Sequence, residues 1–105
     1  MAWIMLFFAG LLEIVWASAM KLSAGFTRPL ASAVTLAAML GSFALLALAM
    51  RQLPLGTAYM IWTGIGALGA FVVGIVMLGE SVSAIRLIAA ALILCGIALM
   101  KLASP

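Results

Sequence analysis

The chain has 105 residues, of which 70% are hydrophobic and 7% are charged, and it contains no histidine. A soluble domain of this length needs far more polar surface, so the composition indicates a membrane protein. The formal net charge is +3, but the five basic residues are scattered and form no patch for a nucleic acid. With one cysteine and two acidic residues, a catalytic triad and most metal sites are excluded within one chain. We therefore expect no enzyme, no metal and no cofactor.

Four apolar segments predict an all-α membrane protein with a single four-helix transmembrane domain over 1–105, with spans at about 2–20, 30–50, 55–78 and 83–100. About 20 helical residues cross a hydrocarbon core of about 30 Å. The fourth segment is the weakest, and we expect the stem of Arg86 to lie along its helix while the guanidinium reaches the interface. No basic residue precedes the first segment, so we expect it to be retained rather than cleaved as a signal peptide.

The first segment contains a lone carboxylate, Glu13, in the run GLLEIVWA, and helical spacing places Trp16 on the same face. An acidic side chain at the centre of a membrane helix costs roughly 2.5 to 3.5 kcal/mol on insertion scales, so it normally has a partner or a function. A proton and a cation would compete for this group, and such competition is sufficient for antiport if the pathway opens to one side at a time. The alternative is a glutamate that only hydrogen-bonds a neighbouring helix.

Polar and aromatic residues also mark the second and third segments. Ser42 is one of few polar residues in the second, whereas Tyr59, Trp62, Thr63 and Gly66 share a face of the third. Tyr59 has an alternative interpretation as part of an interfacial aromatic belt, and the Ser42 hydroxyl could instead bond its own helix backbone. These residues remain candidates to line a site beside Glu13.

The third segment contains three glycines, Gly64, Gly66 and Gly69, in the dinucleotide-binding pattern G-x-G-x-x-G. That pattern requires a preceding strand and a phosphate-accessible helix start, and here it lies in the middle of an apolar helix. We therefore expect these glycines to permit close helix packing or bending.

The fourth segment carries a candidate surface for self-association, which four short helices need if they are to shield a polar pathway. Small residues let helix backbones approach closely in lipid, although they also occur on many lipid-facing helices. The predicted dimer contact consists of Ala89, Leu92, Ile93 and Gly96.

The basic residues give almost no bias in orientation. With four spans, Arg51 and Lys101 lie on one side, and Lys21, Arg28 and Arg86 lie on the other. The positive-inside rule barely chooses between the two orientations. Insertion in both orientations and antiparallel pairing is one consequence, and a single orientation with a weak bias is the other.

Several of these features together resemble the small multidrug resistance family of bacterial transporters. The matching residues are Glu13, Lys21, the loop GFTR at 25–28, LPLGTAY at 53–59, IWTGIG at 61–66 and the ending of the fourth helix. Trp16 and the run WTGIGA at 62–67 resemble the guanidinium-exporter subtype, because polyaromatic-drug exporters usually carry a small residue at the position of Trp16. The resemblance covers nearly the whole chain.

The resemblance implies a dual-topology, antiparallel homodimer in the bacterial inner membrane, in which both Glu13 side chains face one site for substrate and proton. The residues carried over as the site lining are Trp16, Ser42, Tyr59 and Trp62, with Trp16 and Ser42 expected to position the carboxylates. The fourth helices are expected to form the dimer contact. Ala89 stands where many relatives have glycine, which affects the tightness of that contact.

The resulting expectation is a proton-coupled antiporter that exports guanidinium and related small guanidinyl cations. Two alternatives remain: a promiscuous exporter of quaternary ammonium and other hydrophobic cationic drugs, and a non-transporting membrane subunit that pairs with another chain. Trp16 favours guanidinium over bulky drugs, and the near-balanced basic residues favour self-pairing.

Overall fold

The computed structural model describes residues 1–104 and contains four helices over that range. They are α1 (Ala2–Leu22), α2 (Pro29–Ala49), α3 (Leu55–Val76) and α4 (Ala84–Leu102). Each is long and apolar enough to cross a membrane. The predicted all-helical class with four transmembrane helices is thereby confirmed.

Proline and serine determine where three of the helices begin. Pro29 is the first residue of α2, where its missing N–H is not needed, and the preceding Arg28 is extended as a residue before proline must be. Pro54 is the extended residue immediately before α3, which begins at Leu55. At α4 the Ser83 hydroxyl accepts a hydrogen bond from the backbone N–H of Arg86 at 3.2 Å, which satisfies one of the free donors of the first turn.

The helices pack with α1 between α2 and α3, whereas α4 packs closely only against α3. The core lies where α1, α2 and α3 meet and consists of Leu6, Ala9, Leu46, Ala49, Ala58, Ile61 and Trp62. Three of these residues are alanines, whose small side chains let the backbones approach. In α4 no residue is buried. One chain therefore forms a flat arrangement, with Cα extents of 42 × 34 × 16 Å.

Glycines allow α1 and α3 to lie close together. A side chain at Gly10 would meet Cγ2 of Ile65 at 2.5 Å, and one at Gly69 would overlap the side chain of Ile14. In α3, the predicted glycine pattern therefore serves close packing. Gly64 likewise allows α4 to pack closely on α3, because a side chain there would lie 2.6 Å from Cδ1 of Ile97.

The connection between α3 and α4 is fixed by Arg86. Its guanidinium donates to the Ser81 carbonyl at 2.7 Å, lies 3.8 Å from Oε1 of Glu80 and sits 5.3 Å from the centroid of the Phe71 ring. The head group therefore reaches back to the loop before the helix.

A buried serine, Ser23, stabilises the loop between α1 and α2. The Ser23 hydroxyl donates to the Met20 carbonyl at 2.7 Å and accepts from the Phe26 N–H at 3.0 Å. Ala24, Gly25 and Phe26 all have positive φ angles, of 52°, 75° and 67°. For the two residues with side chains this conformation costs about 1 kcal/mol or more each, so the Ser23 hydrogen bonds must hold it.

We predict that Ser23→Ala lowers the free energy of unfolding by about 1–3 kcal/mol, because it leaves the strained loop without its buried hydrogen bonds. The measurement is unfolding of the purified protein in mixed micelles by increasing SDS. Ser32→Ala is the matched control, since the Ser32 hydroxyl bonds only the Arg28 carbonyl of its own helix start in an exposed setting. Equal effects of the two substitutions would contradict this account of the loop.

Candidate functional site

The Glu13 carboxylate lies near the middle of α1 and faces α3. It is partly buried, and the carboxyl group occupies the space that a side chain at Gly66 would fill. Oε1 is buried, and no hydrogen-bond partner reaches it within residues 1–104. The other carboxylate of the chain, Glu80, is near Arg86 in the α3–α4 connection. Glu13 is thus held by packing against a glycine and remains available to a ligand.

Trp16 presents a second buried polar atom one turn along the same face. Its Nε1–H has no hydrogen-bond partner in the described part of the chain. A buried polar group without a partner costs about 1–3 kcal/mol. The Trp16 N–H is a donor, so its complement is an acceptor such as a carboxylate oxygen, whereas the Glu13 carboxylate is the acceptor that suits the N–H donors of a cation. The indole ring packs edge-on against Phe43, with ring centroids 6.2 Å apart.

Ser42 connects three helices. It is fully buried, its hydroxyl donates to the Ala9 carbonyl of α1 at 2.6 Å, and it accepts from the Trp62 Nε1–H of α3 at 2.9 Å. The alternative of a hydrogen bond to its own helix is therefore wrong. The hydroxyl is bonded to Ala9 and Trp62 rather than to Glu13, so in this structure Ser42 orients an aromatic ring of the site instead of the carboxylate.

The aromatic residues form a continuous row from α3 to α1. Ring centroids are 5.5 Å apart for Tyr59 and Trp62, 5.8 Å for Trp62 and Phe43, and 6.2 Å for Phe43 and Trp16. Tyr59 is half exposed at one end of the row, whereas Trp62 is buried. Such packed rings restrict one another's orientation and give the site defined aromatic walls.

Phe43 is the member of this row that the sequence prediction did not include. It is the only aromatic residue in α2 and directly follows Ser42, which was a usable signal. Its ring connects Trp16 with Trp62. Phe43 therefore links the two predicted tryptophans into one row of rings.

The predicted dimer residues all lie on α4, and Ile93 lines a crevice together with Tyr59 and Thr63 of α3. All four are exposed: Ala89, Leu92, Ile93 and Gly96. Ile93 is the least open of the large ones at 41% exposure, because it also approaches Gly64 of α3. Ile97, one turn further along α4, also approaches Gly64. The predicted dimer surface is therefore adjacent to the surface by which α4 packs on α3.

The chemistry of this site suits a cation. Within residues 1–104 no group of three metal-ligating side chains comes together. The structure brings a carboxylate at membrane depth together with aromatic rings, the environment expected for a cation pathway in a membrane protein. The fold and the site together define a small four-helix membrane protein of the transporter kind.

The comparison with known families gives the particular class. The family model described as Small Multidrug Resistance protein matches residues 1–93, and the chain belongs to this family. Its predicted family membership is confirmed.

Relatives agree over almost the entire length. A protein of Yersinia pseudotuberculosis serotype I (strain IP32953) named Guanidinium exporter is 57% identical over 104 residues, covering 99% of this chain and 100% of that protein. Proteins of the same name from Escherichia coli (strain K12) and Salmonella typhimurium are each 55% identical over 104 residues, covering 99% of both chains. With four membrane-crossing helices in a family of exporters, the chain is a multi-pass inner-membrane protein.

Gly66→Ala is predicted to displace the Glu13 carboxyl group and to lower the free energy of unfolding by about 1–3 kcal/mol, the usual cost of overpacking. SDS titration in mixed micelles measures this. In the control Gly56→Ala of the same helix, the added methyl meets nothing within 4 Å. The control should be neutral or slightly stabilising, because alanine is the better helix residue. If both substitutions lowered the free energy of unfolding, the contact between Glu13 and Gly66 would be contradicted.

Ser42→Ala is predicted to lower the free energy of unfolding by about 1–3 kcal/mol, because it leaves the buried Trp62 N–H without its acceptor. The same SDS titration applies. Ser18→Ala is the control, since the Ser18 hydroxyl bonds only the Ile14 carbonyl of its own helix. If Ser18→Ala destabilises the protein as much as Ser42→Ala, the three-helix connection is not what stabilises the site.

Proposed function

We propose that this protein is a proton-coupled antiporter that exports guanidinium and related small guanidinyl cations across the bacterial inner membrane. The observation that carries the proposal is the Glu13 carboxylate, partly buried in the span against Gly66 and without a hydrogen-bond partner for Oε1 among residues 1–104. The full-length relatives named Guanidinium exporter support the choice of substrate.

Guanidinium matches the groups around Glu13. It is planar and presents paired N–H donors, which a carboxylate accepts in a bidentate arrangement. The ring faces of Trp16, Phe43 and Trp62 supply cation–π attraction of roughly 0.5 to 2 kcal/mol where a face meets the ion. The Trp62 ring is already fixed by Ser42, so its orientation costs little when the substrate binds.

Coupling follows from competition for one carboxylate. Deprotonated Glu13 binds the cation, and protonated Glu13 releases it, because the neutral acid loses its charge attraction. A pathway that opens alternately to each side then exchanges cation outward for protons inward. Lower pH should therefore weaken guanidinium binding to the native protein.

An antiparallel homodimer is part of the proposal. One chain is only 16 Å thick across its shortest Cα extent, so a second copy would be needed to enclose the Glu13 face. The exposed α4 surface of Ala89, Leu92, Ile93 and Gly96 would supply the contact. The two copies would then place two Glu13 side chains and two sets of aromatic walls around one site.

Glu13→Gln is predicted to abolish proton-coupled guanidinium transport while leaving the folded protein and its association intact. The measurement is current from proteoliposomes with a pH gradient after addition of guanidinium. Glu80→Gln is the matched control, because it alters the only other acidic side chain, which lies in the α3–α4 connection. We expect the control to retain transport.

Two outcomes would contradict the proposal. Transport that survives Glu13→Gln removes the carboxylate mechanism. Currents with a bulky quaternary ammonium ion but none with guanidinium assign the protein to the broader class of drug exporters instead.

A further inference from the structure

One end of the molecule joins α4 to α1 through a lysine and a tryptophan. Lys101 lies in the last turn of α4, and its Nζ sits 4.7 Å from the centroid of the Trp3 ring in the first turn of α1. A tryptophan ring at the end of a membrane helix occupies the headgroup level, where its apolar face and its N–H suit both phases. This position places the Lys101 ammonium beside lipid headgroups.

Below this pair lies an apolar crevice of about 170 Å³ between α1, α3 and α4. Trp3 and Lys101 line it at the helix ends, and further along the span its walls include Phe7, Ile65 and Ile97. The crevice thus combines an apolar wall with a single cationic group. These two parts match the acyl chain and the anionic headgroup of a phospholipid.

The charges at this end are all positive among the described side chains. Of the two acidic side chains, Glu13 lies mid-way along α1, and Glu80 precedes α4 beside Arg86. Lys101 is at the opposite end of α4, which has 19 residues and is about 28 Å long. Arg51, between α2 and α3, lies at the same end as Lys101. Lys101 therefore has no side-chain carboxylate partner within residues 1–104, and an anion is the complementary ligand.

We propose that this crevice binds an anionic phospholipid, with an acyl chain along Phe7, Ile65 and Ile97 and the phosphate on the Lys101 ammonium. Basic groups at the ends of crevices between membrane helices are suited to anionic headgroups. Ile97 also lines the neighbouring crevice that carries Leu92 and Gly96 of the candidate dimer surface. The present crevice, unlike that one, includes a basic side chain, Lys101, so its charge favours a lipid rather than a second copy of the chain as the occupant. The inference concerns binding and does not depend on what the protein transports.

The test is native mass spectrometry of the purified full-length protein in detergent, titrated with phosphatidylglycerol or with phosphatidylcholine of the same acyl chains. We expect tighter binding of phosphatidylglycerol. Lys101→Gln should weaken that binding about fivefold, the effect of one basic side chain at a lipid surface, and leave phosphatidylcholine unchanged. Lys101→Arg should retain it, which separates charge from folding.

Lys21→Gln is the matched control, because Lys21 is likewise in the last turn of a helix. Equal weakening by Lys21→Gln and Lys101→Gln would show general charge attraction and overturn the site. Equal affinity for the two lipids would overturn the role of the headgroup. Displacement of phosphatidylglycerol by inorganic phosphate at matched concentration would identify an anion site without an acyl-chain component and would also overturn the proposal.

Discussion

The enclosure of one carboxylate at membrane depth depends on how closely α1 and α3 pack. The Glu13 carboxyl group fits against α3 only because position 66 has no side chain. Above and below it, Ile65 packs onto Gly10 and Ile14 packs onto Gly69, so each helix receives a branched side chain from the other. The apolar contacts set the distance between the helices, and that distance sets how deeply the carboxylate is enclosed.

The polar groups near Glu13 divide into those that are bonded and those that are not. Ser42 uses its hydroxyl to connect Ala9 with Trp62 and so fixes the position of α2 and the orientation of an indole ring. Glu13 and Trp16, on neighbouring turns of α1, keep buried atoms without partners in the described chain. This combination suits the proposed cation site, because rigid walls lower the ordering cost while the unbonded Glu13 carboxylate supplies the attraction.

The sequence was sufficient for features that arise within one helix and insufficient for those that arise between helices. Apolar length predicted four membrane-crossing helices, and helical period predicted that Glu13 and Trp16 share a face. The partners of Ser42 and the ring of Phe43 depend on the axial register of α2 against α1 and α3, which many apolar sequences leave open. The contact of Glu13 with Gly66 has the same origin. The proposed substrate rests on resemblance, since several cations suit a carboxylate among aromatic rings.

The fourth helix is attached differently from the others. No residue of α4 is buried; it meets α3 through Ile97 at Gly64, and cation–π contacts hold its two ends, from Arg86 to Phe71 and from Lys101 to Trp3. Apolar packing in lipid is not driven by exclusion of water, so a helix with few buried contacts depends on such end contacts for its position. Substitutions on the outer face of α4 can therefore change contacts with lipid or another chain while the contact of Glu13 with Gly66 inside one chain stays the same.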